Sequence, residues 1–198
     1  MTPDDALKVL AEADLICSAE KSALAVRRMA SEITDRLATA NPLVLAVMGG
    51  AVVFVGQLLP QLIFPLDFDY LQVSRYRDDT AGGELTWLVE PKSNVAGRCV
   101  LVVDDILDEG ITLAAIRQRL FSLGAAEVLT AVFADKVIGV KTGQPADKPE
   151  DKPITADFVG ITVPDRYVFG YGMDIQGAWR NLPSVYALNR ETRQLVCS

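Results

Sequence analysis

Two short runs of unbroken apolar residues do most to decide what this chain folds into: Leu43-Val44-Leu45-Ala46-Val47 and Cys99-Val100-Leu101-Val102-Val103. Neither alternates polar with apolar, so each reads as a strand covered on both faces. That is the pattern of a parallel sheet between helices, not of an antiparallel sheet with one wet side. The first run stops at Gly49-Gly50 and the second at Asp104-Asp105. Sheets of this kind bind ligands beyond the C-terminal ends of their strands, so the two stops are where chemistry is expected.

The segments around these runs fit the same plan. Thr2, Pro3 and the acids Asp4-Asp5 make a helix start, with a hydroxyl cap, proline in the first turn and carboxylates at the positive dipole end. Ser18 caps a second helix to about Leu37, striped by Val26, Met29, Ile33 and Leu37, and Asn41-Pro42 ends it. Ala51 to Leu59 reads as a helix ending near Pro60, and Asp67 to Val73 as a strand with Phe68 and Tyr70 on one face. Ser74 to Gly83 is polar and glycine-rich, an exposed loop; Glu84 to Glu90 returns as a strand, and Pro91 to Gly97 turns. Gly110 opens a helix in which Leu113, Ile116, Leu120 and Leu123 share a face, and Gly124 stops it. Glu127 to Ala134 is a further strand and 139–156 a loop, followed from Asp157 by short strands and turns (DFVG, YVFGYG, VYAL). Strand and helix alternate, so the class is α/β, a mostly parallel sheet flanked by helices. The 198 residues, half of them hydrophobic, are read as one domain over the whole chain with an irregular C-terminal part.

Composition then narrows the chemistry. The chain has no histidine, which removes Ser-His-Asp and Cys-His triads, imidazole metal ligands and any histidine base. Nineteen Lys+Arg against 26 Asp+Glu leave a net charge of −7, so neither nucleic acid nor an anionic membrane is an expected partner. Cys17, Cys99 and Cys197 are scattered and read as reduced thiols. The acidic start is unlike a signal peptide, and the apolar run Leu43 to Val55, about 13 residues broken by Gly49-Gly50, is too short to span a bilayer. A cytoplasmic protein is expected.

The stretch Val100 to Thr112, VLVVDDILDEGIT, is the most informative in the chain. A buried strand delivers two acids to its end, a short acidic turn with a glycine follows, and a helix begins. Free amides at a helix start favour phosphate. Asp104 and Asp105 are then candidates for ribose hydroxyls, Asp108 for moving a proton, and the turn amides with the Thr112 hydroxyl for holding phosphate. The plainer alternative is a strand end with solvated acids, Asp108 or Glu109 serving only to cap the helix. No GxxxxGK[ST] loop occurs.

On these residues the chain resembles the type I phosphoribosyltransferases, and more narrowly their hypoxanthine-guanine (6-oxopurine) branch. Four further segments agree in order: Met48-Gly49-Gly50, the loop 74–83, Lys136, and Asp157-Phe158-Val159-Gly160 followed by Pro164-Asp165-Arg166 and GYGMDIQGAWRNLP. The resemblance covers most of residues 15–190 and implies the fold of that family, with a hood built from the termini and a lid at about 74–84. It implies that Asp104 and Asp105 bind the ribose hydroxyls, partly through Mg²⁺, and that Asp108 is the acid/base near purine N7. Glu109, Gly110, Ile111 and Thr112 would hold the 5′-phosphate; Met48, Gly49, Gly50 and Arg180 the pyrophosphate. Lys136 would contact the 6-oxo group, Phe158 stack on the base and Val159 read its edge, while Asp174 would sit near a second metal. Arg75 and Tyr76 fall in the lid. Relatives of this kind are homodimers or homotetramers.

The sequence departs from the family at three positions. Met48 stands where many relatives carry lysine, Arg75 replaces the serine of a Ser-Tyr pair, and Glu109 stands where a hydroxyl is usual. A carboxylate facing phosphate would repel it, so Glu109 is expected to point away and offer only its amide. The leading expectation is purine salvage: phosphoribosyl transfer to hypoxanthine or guanine, giving IMP or GMP and pyrophosphate. A regulator that binds the ribosyl donor without turnover and a transferase for another base, xanthine among them, stay open. Plainer roles also stand beside the implied ones. Lys136 reads equally as a solvated strand-end cation, Phe158 as core, Asp174 with Arg180 as a surface ion pair, and Trp179 as hood packing. Lys148 to Lys152 (KPEDK) is read as a solvated loop without a role.

Overall fold

A computed structural model of the chain describes residues 1–75, 85–137 and 152–189. A six-stranded sheet forms the centre. Its strands are β2 (Leu43–Met48), β3 (Asp67–Arg75), β4 (Leu85–Val89), β5 (Cys99–Leu107), β6 (Glu127–Lys136) and β7 (Phe158–Val163), in the order β4-β3-β2-β5-β6-β7. All neighbours are parallel except β3 and β4. The two apolar runs are β2 and the first part of β5, side by side at the middle of the sheet, with Leu43 opposite Val100 and Ala46 opposite Val103.

Because successive side chains point to opposite faces, each run feeds two cores. Val44, Ala46, Leu101 and Val103 pack with α2 (Ala19–Leu37) and α3 (Val52–Leu58) on one side. Leu43, Leu45, Val100 and Val102 pack with α4 (Ile111–Ser122) on the other. The predicted stripe of α2 is fully buried at Val26, Met29, Ile33 and Leu37. A second, antiparallel sheet in the order β1-β9-β8 forms a hood from β1 (Asp14–Cys17), β8 (Val168–Phe169) and β9 (Val185–Ala187). α1 (Pro3–Glu12) starts as its sequence indicates, with the Thr2 hydroxyl accepting from the Asp5 amide, and Trp179 Nε1 donates to the Ala6 carbonyl at 2.8 Å. Trp179 is therefore hood packing. The hood is seated on the sheet by Tyr171, whose ring stacks on Phe133 of β6 at 3.9 Å between centroids.

Several details differ from the sequence reading, among them β3 and β6, which run two residues further, to Arg75 and Lys136. β5 runs on to Leu107 rather than stopping at Val103, because pairing with β6 continues to Leu107 opposite Asp135. α3 gives way to a 3₁₀ turn, Leu59–Gln61, with Pro60 inside it, since proline fits the first turn of such a helix. Leu123 is 36% exposed at the C-cap of α4 and leaves the apolar face to Leu113, Ile116 and Leu120. β1 was not legible: four residues between two helices, held by pairing with β9 from the far end of the chain. Cys17 and Cys99 are free thiols; Cys197 lies outside the described residues. Among the described residues no helix is long and apolar enough to cross a membrane.

Candidate active site

The site lies at the C-terminal ends of β2, β5 and β6. Asp104 and Asp105 stand on β5 itself, and the Asp104 carboxylate accepts from the Asp105 amide at 2.9 Å. Burial, with the neighbouring Asp105 charge added, pushes the Asp104 carboxyl well above the ordinary carboxylate range. Burial raises Asp105 too, against the opposing pull of a hydrogen bond from Asp104 and the Arg180 charge.

Beyond these acids a cavity of about 200 Å³ is lined by the continuous stretch Asp104 to Leu113, with Asp108, Glu109, Gly110, Ile111 and Thr112 all on its wall. Gly110 is the N-cap of α4. It adopts a left-handed conformation, φ 82°, and has no side chain with which to cap the helix. The N-cap position is thus held by Gly110, not by Asp108 or Glu109, and it offers the first amides of α4 no side-chain acceptor of its own. Glu109 is exposed on the turn. A bare helix start with a left-handed glycine presents backbone amides and a positive dipole end to an anion.

A second cavity, about 220 Å³, shares Asp105, Ile106 and Asp108 with the first and adds Lys136, Tyr167, Val168, Met173 and Asp174. Lys136 is the last residue of β6; its Nζ lies 2.7 Å from Asp108 Oδ2 and its side chain is only 12% exposed. It is not a solvated strand-end cation. On the other flank Gly50 is pressed against Asp105: a Cβ at Gly50 would stand 2.0 Å from Asp105 Oδ2. Gly172 of the hood, φ 101°, closes the stack, with a Cβ there falling 2.0 Å from the Gly50 carbonyl oxygen. Gly49 has open space around its Cα. Arg180 donates to the Gly172 carbonyl at 2.7 Å and pairs with Asp174 at 2.6 Å, so the ion pair of the plainer reading exists, beside the second cavity that Asp174 lines. Asp174 also accepts from the Gly177 amide at 2.7 Å.

Two expected base contacts are corrected. Phe158 is 9% exposed and packs in the α2-side core with Met29 and Phe133; it does not line either cavity. Val159 packs toward the opposite core, and its carbonyl accepts from Arg28 at 2.8 Å. The reason is register: Phe158 lies opposite Ala131 and Val159 opposite Val132, several residues short of the strand end where Lys136 stands. The aromatic–valine pair that reaches the cavity is Tyr167-Val168, in the turn after β7 and the start of β8. Phe158-Val159 and Tyr167-Val168 are the same dipeptide type nine residues apart, and only the second follows a Pro-Asp turn that carries it off the sheet. Lys152 is also corrected: it is not solvated but 12% exposed and bonded. Arg75 ends β3, while Tyr76 and the rest of the expected lid to Glu84 lie outside the described residues.

A pair of acids at a strand end, a glycine-opened helix start and an adjoining cavity with a cation and an aromatic ring define the class: an α/β protein with a ligand site beyond the C-terminal ends of its strands. The comparisons with known proteins agree. The phosphoribosyl transferase domain pattern matches residues 13–165. The chain is 37% identical over 160 residues to the hypoxanthine-guanine-xanthine phosphoribosyltransferase of Tritrichomonas foetus, covering 81% of this chain and 82% of that one. It is 31% identical over 175 residues to the hypoxanthine-guanine phosphoribosyltransferase of Bacillus subtilis (strain 168), covering 88% and 92%. A solved hypoxanthine-guanine-xanthine phosphoribosyltransferase superposes with a TM-score of 0.76 at 31% identity, over 89% of this chain and 97% of that one. The chain therefore belongs to the phosphoribosyltransferase family, in its hypoxanthine-guanine branch, and is a glycosyl-transferring enzyme.

Proposed function

We propose that the protein salvages purines by moving the 5-phosphoribosyl group of phosphoribosyl pyrophosphate onto N9 of hypoxanthine or guanine. The carrying observation is that the two cavities share Asp105, Ile106 and Asp108, so a ribose at the junction has its phosphate in one and a base in the other. The amides from Glu109 to Thr112 hold the 5′-phosphate, and Asp104 and Asp105 the ribose hydroxyls. Met48, Gly49, Gly50 and Arg180 face the pyrophosphate. Asp108 exchanges the proton at purine N7, and Tyr167 stacks on the base while the Val168 backbone meets its edge. Lys136 leaves its ion pair with Asp108 to donate to the 6-oxo group. Adenine would set an amino donor against that ammonium and is excluded by hydrogen-bond polarity.

Asp104 and Asp105 are hard oxygen donors side by side at a buried strand end, and they fit Mg²⁺ held partly by substrate oxygens. Among the described residues no group of three or more acidic or thiol side chains forms a full cage. When bound, Mg²⁺ supplies charge neutralisation for the departing pyrophosphate. Asp174, paired with Arg180, would approach a second metal only by exchanging that partner. The protein is proposed to act in the cytoplasm as a homodimer or homotetramer of one-domain subunits.

The test offers Mg²⁺, phosphoribosyl pyrophosphate and, separately, hypoxanthine, guanine, xanthine and adenine, with nucleotide formation read by absorbance. Turnover of oxopurines but not adenine, lost in Asp108→Asn and reduced about 10- to 100-fold in Lys136→Met, is the expected result. Donor binding without nucleotide from any base would replace this reading with the regulator. Asp108, Lys136 and Arg180 standing together around the site argue against that.

A further inference from the structure

We propose that Lys152 is a positioning residue of the ribosyl-donor site, an ammonium strap that fixes the phosphate turn from behind; the inference rests on the transferase reading above. Lys152 Nζ donates to the Leu107 carbonyl at 2.7 Å and to Asp135 Oδ1 at 2.5 Å. Those two residues are register partners on adjacent parallel strands, the last of β5 and the last but one of β6. Each directly precedes a site residue, Leu107 before Asp108 and Asp135 before Lys136, and that following pair is itself joined at 2.7 Å. The strap therefore crosses the sheet where the β5–β6 pairing runs out.

The segment that carries Lys152 is also packed against the turn. A Cβ on Gly110 would stand 3.3 Å from both Pro153 Cδ and Ile154 Cγ2 and 3.4 Å from Lys152 Cβ. Ile154 is 6% exposed and shares a core with Leu107 and Leu113, the residues flanking the phosphate turn. An ammonium only 12% exposed is stable there because a carboxylate and a carbonyl both accept from it. Lys152 lines neither cavity, so it acts on the donor through the turn.

The experiment compares steady-state kinetics of wild type, Lys152→Met and Lys152→Arg, varying donor and base independently, with a thermal melt of each. Wild-type turnover tests the transferase reading; the ratio of variant to wild type tests the strap. Lys152→Met should raise KM for phosphoribosyl pyrophosphate about tenfold, the scale of one charge-assisted hydrogen bond, and leave KM for the base within about twofold. Lys152→Arg should recover most of the loss. A purely structural lysine would lower the melting temperature and the active fraction, hence kcat, and move neither KM. Unchanged donor KM, or a parallel rise in both KM values, overturns the proposal. Should Lys152→Met not fold, Asp135→Asn decides in its place: donor KM raised at least about twofold with base KM unchanged supports the strap, and no change overturns it.

Discussion

Gly50→Ala tests the tightest point of the site. The new methyl carbon would lie 2.0 Å from Asp105 Oδ2, 2.4 Å from Cγ and 2.8 Å from Oδ1, against about 3.4 Å for an ordinary contact. The carboxylate must therefore move by about 1 Å. It is half-buried beside Asp104, and Gly172 of the hood abuts the Gly50 carbonyl at the same point, so it can move only toward the cavities that it lines. Overpacking of this kind costs about 1–3 kcal/mol. Taking the middle of that range, a chain of this length should melt about 4–8 °C lower. Asp105→Ala deletes all three clashing atoms, so the double variant Gly50→Ala/Asp105→Ala should be less destabilised than the sum of the singles by at least about 1 kcal/mol. Urea unfolding at pH 8 in metal-free buffer, read by circular dichroism, gives the four corners of this cycle. A single-variant cost below about 0.5 kcal/mol, or additive singles, would show that Gly50 does not abut Asp105.

Asp104 sets a pH dependence. Its folded carboxyl is raised by burial and by Asp105, above the unfolded value of about 3.9. The folded state therefore binds more protons, and stability falls as pH rises from the unfolded value through the folded one, by at most about 1.4 kcal/mol per pH unit. Without metal, Asp104→Asn should be more stable than wild type at pH 8, the gap closing toward pH 4; parallel unfolding profiles would contradict this. Tyr167→Leu should raise KM for the base about 3- to 10-fold with KM for the donor unchanged, whereas Phe158→Leu should cost stability, about 1–2 kcal/mol, and leave both KM values alone. The reverse pattern would return base stacking to Phe158. The Lys136 and Lys152 variants described above complete the set.

Phe158 and Tyr167 show why part of the site was not legible. Both follow a charged residue and open an apolar run with a valine second, and local pattern treats them alike. What separates them is distance along β6: Phe158 opens β7 opposite Ala131, in mid-sheet, while Tyr167 lies past the end of β7 and comes back to Lys136 only through the hood. Lys152 is the same kind of case. In a run of lysines, prolines and acids it reads as solvated, and only the arrival of Leu107 and Asp135 beside it makes it a buried cross-link.

The sequence by itself determined the layer order and the phosphate turn. Unbroken apolar runs are suited to burial between two helical layers, and a glycine at a helix start brings no side-chain cap of its own. The helix caps at Thr2 and Ser18 were local for the same reason: donor and acceptor lie within three residues. Tertiary structure alone decided which aromatic lines the second cavity, that Lys136 and Asp108 close on each other, and that Gly50, Asp105 and Gly172 share one point of contact. Each joins segments tens of residues apart, and strand register and the hood's docking, not spacing along the chain, set their distances.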